Sequence, residues 1–350
     1  MRGKIDGRVV VITGASTGIG RAAALALAKR RATVILTARR EPILRAVAAQ
    51  CEQLGGRALV APADVTDDEA VRRVARQAAE AFGRIDVWIN NAAVTVLGRF
   101  EDTPAEAYRR VIETNLFGYV HGARAVLPYF RSQEEGVLVN VASIVGKISQ
   151  PFASAYAASK FGIIGLTESL RMELSEMPGI HVCAVLPGSV DTPLYEHAAN
   201  YTGRALQPVQ PVYSAEEVAE TIIAAIRAPN RDIFVGAAPR VMAAFHNLLP
   251  RWFERVYTVQ VETKHFRDSP APASPGNLFQ PMDGYDSVSG GWRALPARRA
   301  TGRAVAAGLG IGVGLLIVGR AMLGRRGRVS WRKRLPKHTF TSRFRSALSR

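Results

Sequence analysis

At 350 residues the chain is long enough for one large domain with an appendage, and its 48% apolar content is ordinary for a globular protein. Two cysteines exclude a disulfide framework, and six scattered histidines show no ligand spacing, so no metal site is expected. The net charge of +17 is concentrated at one end: residues 293–350 hold 15 Lys or Arg and no acid, which leaves residues 1–292 at +2 and removes the nucleic-acid signature from the body.

The polar start, Met1 to Gly7, lacks the pattern of a signal peptide, so the body is expected on the cytosolic side. Residues 8–13, β-branched from Val9 onward, read as a buried strand. Gly14-Ala-Ser-Thr-Gly18-Ile-Gly20 follows, and residues 21–30 read as a helix. A glycine loop between strand and helix lets backbone approach a pyrophosphate, which the helix N-terminus then holds. A second strand, 33–37, ends at Ala38-Arg39-Arg40. In dinucleotide folds an acid there binds a ribose 2′-hydroxyl and an arginine accommodates a 2′-phosphate. Two arginines and no acid point to NADP(H) over NAD(H).

The alternation continues. Helix 43–54 precedes strand 58–61, after which Asp64-Val65 could reach an adenine; Asp67 suits the N-cap of the next helix, to 82. Strand 85–89 ends at Asn90-Asn91-Ala92-Ala93, and a helix spans 104–130. Strand 137–141 ends at Ala142-Ser143. The next helix, to 176, carries Tyr156 and Lys160 four residues apart and so on one face. An ammonium beside a phenol lowers the phenol's pKa, giving a group that can exchange a proton with a substrate oxygen. Strand 181–186 ends at Pro187-Gly188, helix 215–227 follows, and strand 232–235 closes the series. Repeated β-α units with apolar strands argue for a Rossmann-like, doubly wound parallel sheet in a three-layer α/β/α domain. The polar candidates fall after strands, where such sheets bind ligands.

Residues 5–236 resemble the short-chain dehydrogenases/reductases. The resemblance rests on Thr13-Gly14-x-x-x-Gly18-x-Gly20, Asn90-Asn91-Ala92, Asn115, Ser143, Tyr156-x-x-x-Lys160, and Pro187-Gly188 with Thr192, in family order. Ala93 stands where the family usually has glycine. The resemblance implies Tyr156 as general acid or base and Lys160 lowering its pKa while bonding the nicotinamide ribose. It implies Ser143 holding the substrate oxygen and Asn115 holding a relay water. For the cofactor it implies Gly14, Ser16, Gly18, Ile19 and Gly20 along the pyrophosphate, Arg39 at the 2′-phosphate, and Asp64 and Val65 beside adenine. Asn90 and Ala92 would line the adenosine ribose, and Pro187, Val190 and Thr192 would position the carboxamide. The implied reaction joins a small-molecule alcohol and its carbonyl, in a homo-oligomer.

Residues 191–214 would cover the substrate and contain Leu194, Tyr195, His197, Tyr201 and Leu206, with His197 read as a solvated loop histidine ahead of a substrate contact. Beyond the catalytic domain, 1–236, an amphipathic extension is expected over 237–268, packed on the pocket or on a membrane interface. A linker with little structure is expected over 269–300. Residues 304–319 carry no charge, and Gly308, Gly310, Gly312 and Gly314 give a helix-packing pattern, so 301–323 is a candidate membrane segment ahead of a basic tail, 324–350. Spanning would place the larger basic cluster outside, against the positive-inside rule, whereas a surface-lying helix would not. A non-catalytic NADP-binding scaffold and non-specific nucleic-acid binding by the tail are the competing functions; no specific nucleic-acid partner is expected.

Overall fold

The β-branched run Val9–Thr13 (β1) is buried at every residue, as a strand covered on both faces must be. In the computed structural model, which describes residues 4–293, it lies within a seven-stranded sheet. The other strands are Thr33–Thr37 (β2), Arg57–Val60 (β3), Val87–Asn90 (β4), Gly136–Val141 (β5), Ile180–Leu186 (β6) and Asp232–Phe234 (β7). They run parallel in the order β3-β2-β1-β4-β5-β6-β7. Val10 of β1 sits beside Val34 of β2 and Val87 of β4. The winding reverses between β1 and β4, so the connections leaving these strands diverge and open a crevice at their carboxyl ends.

The helices are Gly18–Ala28 (α1), Glu41–Gln53 (α2), Asp68–Phe82 (α3), Ala105–Ile112 (α4), Gly118–Gln133 (α5), Ser154–Glu173 (α6) and Ala215–Arg227 (α7). The period-two alternation of β1 separates the two cores. Val10 and Ile12 join Leu27, Leu44 and Ile222 from α1, α2 and α7. Val9 and Val11 join Val74, Val126 and Phe130 from α3 and α5 on the other face. Asp67 caps α3, accepting from the Ala70 N–H at 3.0 Å. The expected three-layer α/β/α domain is the one observed.

Two further helices, Ala238–Leu248 (α8) and Pro250–Lys264 (α9), form the amphipathic extension. Phe253, Tyr257 and Val261 of α9 are buried against Ile144, Val145 and Ile148, so this extension packs on the body beside Ser143. The expected linker is a correction. From Phe266 to Pro270 the chain is a strand, antiparallel to Arg204–Leu206, and Ser274 then bridges to Asn200. Residues 275–293 continue across the body, bonded to Arg39, Arg40, Arg110 and Asp191. Pro, Gly, Ser and Asp form no helix or sheet of their own here. They follow an extended path whose carbonyls at Asn277, Leu278 and Met282 are bonded by side chains of the domain beneath. The candidate membrane segment and the basic tail lie outside the described residues. Among the described residues no helix is long and apolar enough to cross a membrane.

Candidate active site

The crevice begins at the turn after β1. Gly14 has φ +68°, a left-handed conformation that favours glycine, and a Cβ there would lie 2.8 Å from the Ala92 Cα. Asn91 braces the turn from β4: its Nδ2 donates to the carbonyls of Thr13 (2.9 Å) and Gly14 (3.2 Å). Thr13 Oγ1 accepts in return from the N–H groups of Asn91 (2.9 Å) and Ala92 (3.1 Å). Helix α1 then starts with no side-chain cap and no acid in its first turn, the chemistry of an anion site.

Gly14, Ser16, Gly18, Ile19, Arg39, Asp64, Val65 and Ala92 line one cleft with Ser143, Tyr156, Lys160, Pro187, Val190 and Thr192. Sequence-distant residues therefore share one cleft. Gly20 lies behind the turn, where a Cβ would come 2.1 Å from the Gly14 oxygen. Asn90 does not line the cleft. Its Oδ1 accepts from Trp88 Nε1 (2.8 Å), and its Nδ2 donates to Asn140 Oδ1 (3.0 Å) and the Tyr119 carbonyl (3.2 Å). Successive strand residues face opposite sides, so Asn91 turns to the glycines while Asn90 pins the sheet to α5. Asp64 is also committed: it accepts from Thr66 and pairs with Arg110 at 2.7 Å. Burial raises its pKa, but the Thr66 and Arg110 hydrogen bonds outweigh this and hold it below the usual carboxylate value.

At the other end, Tyr156 and Lys160 rise from the first turns of α6. Ser143 caps the turn Ile144–Gly146, its Oγ accepting from the Val145 N–H at 3.1 Å. Lys160 is 2% exposed; its Nζ donates to the Val141 carbonyl at 3.0 Å and lies 5.4 Å from the Tyr156 ring centroid. Burial is the cause that pushes its pKa down to about 7. Burial also drives Tyr156 well above an ordinary phenol, with the neighbouring Tyr195 adding to the rise and a hydrogen bond from Ser143 opposing it. Lys160 is not among the causes of the Tyr156 shift. Burial is the leading cause of both shifts and favours both neutral forms.

Asn115 lies in a single π-helical turn, Glu113–Phe117, between α4 and α5. Such turns are frequent at functional sites. Its Oδ1 accepts from the Val94 N–H (2.8 Å), and its Nδ2 donates to the Val94 carbonyl (2.9 Å) and Ser159 Oγ (3.1 Å). These bonds fix the side chain between residue 94 and α6.

A model of the short chain dehydrogenase family matches residues 8–201. The chain belongs to the short-chain dehydrogenases. It is an oxidoreductase that acts on CH–OH groups with NAD(P). An uncharacterized oxidoreductase, YxnA of Bacillus subtilis, is 36% identical over 277 residues, 78% of this chain and 77% of its own. The 3-oxoacyl-[acyl-carrier-protein] reductase FabG of Thermotoga maritima is 35% identical over 63% of this chain and 90% of its own. A D-beta-hydroxybutyrate dehydrogenase of Rhizobium meliloti is 37% identical over 54% of this chain and 74% of its own.

The substrate end of this short-chain dehydrogenase holds residues that the motifs do not mark. Leu97, Val145, Gln150, Ala153, Leu194, Tyr195, Tyr257 and His265 line it. Tyr257 Oη donates to Gln150 Oε1 (3.3 Å), and Gln150 Nε2 lies 3.3 Å from His265 Nε2. His265 Nδ1 is 2.7 Å from the Gln207 carbonyl and must be the protonated nitrogen. The amphipathic extension expected over 237–268 was the available signal for Tyr257; nothing in the sequence marked Gln150 or His265. His197 is buried rather than solvated, and it lines the cleft.

Burial pushes His265 down to about 4 from its ordinary 6.5, against the Gln207 hydrogen bond. Between these values the unfolded chain binds the extra proton, so stability falls as pH drops through about 6.5 and the loss is complete near 4. The full effect is on the order of 3 kcal/mol. Urea unfolding at pH 7.5 and pH 5 should show a difference that His265→Gln reduces. An unreduced difference would contradict the assignment.

Proposed function

We propose that this enzyme interconverts a ketone and a secondary alcohol, or an aldehyde and an alcohol, on an uncharged, largely apolar substrate, with NADP(H) preferred over NAD(H). One observation carries the reading. The Ser143 and Tyr156 hydroxyls lie at one end of a cleft whose other end is the uncapped start of α1. The donor set at that start suits a dinucleotide diphosphate, and the end of β2 offers Arg39 and Arg40 with no acid, which suits a 2′-phosphate. Apart from Lys160, the residues lining the substrate end carry no charged side chain once His265 is neutral, which favours an uncharged substrate.

When bound, the dinucleotide supplies or accepts the hydride. Ser143 and Tyr156 hold the substrate oxygen by hydrogen bonds, which strengthen as negative charge develops on it. Tyr156 then passes its phenolic proton to that oxygen. Burial keeps the proton on Tyr156 until the acceptor forms, which suits a general acid in reduction. In oxidation the proton must first leave Tyr156, so that direction should gain with rising pH.

The cofactor preference is read from dissociation constants measured by quenching of protein fluorescence. NADPH should bind about fivefold or more tighter than NADH, and Arg39→Ala should remove most of the difference. Equal affinities of the wild-type protein for the two would sink the NADP(H) preference.

A further inference from the structure

The segment 275–293 crosses the adenosine half of the cleft. Asn277, Pro281 and Met282 line it opposite Arg39 and Arg40. Arg39 Nη2 donates to the Asn277 carbonyl at 2.8 Å, and Arg40 Nη1 to the Met282 carbonyl at 2.8 Å. Arg40 also forms an ion pair with the Asp286 carboxylate, and Arg21 donates to the Asp286 carbonyl. The Gly18 N–H, at the start of α1, donates to the Ser287 carbonyl at 3.0 Å. Beyond this, Asp191 anchors the segment, accepting from Ser289 Oγ (2.7 Å), the Gly290 N–H (3.0 Å) and the Trp292 N–H (2.8 Å). At the near end the Asn277 N–H donates to the His197 carbonyl at 2.9 Å.

The groups this cleft would offer to phosphate are two guanidinium ions and the first N–H of an uncapped helix. All three are bonded to one strap, by a carboxylate and by carbonyl oxygens. Asp286 supplies the negative charge that the end of β2 lacks. We propose that the strap 277–287 is a built-in competitor for the adenosine end of the cofactor, and that Asp286, by pairing with Arg40, sets how strongly a 2′-phosphate is preferred. The inference rests on the dinucleotide reading of the cleft. A 2′-phosphate must displace the Asp286 carboxylate from Arg40, because the two anions repel each other and need the same cation. NADH brings no phosphate to that position and leaves the pair intact. The pairing of Ser274 with Asn200 and the bonds of residues 289–292 to Asp191 lie outside the contested stretch, so the strap can yield at Asp286 and remain tethered at both ends.

The test is a set of dissociation constants for NADPH and NADH, by fluorescence quenching, on the full chain and on Asp286→Asn, Asp286→Glu, Arg40→Ala and the Arg40→Ala, Asp286→Asn double variant. Asp286→Asn should tighten NADPH roughly tenfold while NADH changes less than about twofold. Asp286→Glu should keep the wild-type ratio, and Asp286→Asn should give no gain once Arg40 is absent. If Asp286→Asn leaves the NADPH to NADH ratio unchanged, or weakens both, the competitor assignment is wrong and the cofactor reading stands. If the wild-type protein binds neither dinucleotide, both fall.

Discussion

Tyr156→Phe should lower carbonyl reduction by a factor on the order of 10³ while leaving the dissociation constant for NADPH within about twofold of wild type. The ring stays where it is, because Tyr156 packs with Ile144, Val145 and Ile148 under α9, and phenylalanine keeps those contacts. What is lost is one proton and one hydrogen-bond donor at the substrate oxygen. Ser143 remains, so some stabilisation of the developing charge persists and turnover should not fall to the uncatalysed rate. Steady-state rates beside fluorescence titration separate the two effects. Activity within about tenfold of wild type would remove Tyr156 from the role of proton donor.

Gly20→Ala should have the second large effect, and through a different cause. The added Cβ would sit 2.1 Å from the Gly14 oxygen and 2.6 Å from Asn91 Nδ2. Neither neighbour is the free end of a flexible side chain. The first is backbone, and the second is tied to the carbonyls of Thr13 and Gly14. The turn after β1 has to open, at a cost of about 1–3 kcal/mol or more. Because the same turn presents the start of α1, dinucleotide binding should weaken by about a hundredfold beyond any loss in fold stability. Thermal unfolding reports the first effect and titration the second. A variant that unfolds and binds as wild type does would show that the glycine is not needed for close approach.

Much of this architecture was legible because it is written in local patterns. The strands are short apolar runs between helices of period 3.6, and Asp67 announced α3 by its place as a cap. The glycine turn and Ser143 were found because each follows a strand, and Tyr156 and Lys160 because their spacing of four puts them on one face of a helix. What sequence could not supply was burial. It pointed, through the spacing of Tyr156 and Lys160, to their attraction, whereas burial is the leading cause of the shift of each. It also assigned Asn90 to the cleft, although one residue of register gives that place to Asn91. The strap was missed for another reason: its partners, Arg39, Arg40, Asp191 and Gly18, lie far away in the chain, so its own composition looked structureless. The Tyr257–Gln150–His265 cluster was hidden in the same way, across two segments, around residue 150 and 257–265, that meet only in the fold.

The central claim is that a hydride from the nicotinamide and a proton from Tyr156 meet on one carbonyl group. It is tested most directly by incubating wild type and Tyr156→Phe with 4-deuterated NADPH and a panel of uncharged ketones and aldehydes, then locating the label by mass spectrometry. The wild-type protein should yield alcohol with one deuterium on the carbinol carbon, and Tyr156→Phe should bind the labelled dinucleotide and yield almost none. Equal labelled product from the two proteins, or bound NADPH that no carbonyl in the panel consumes, would contradict it.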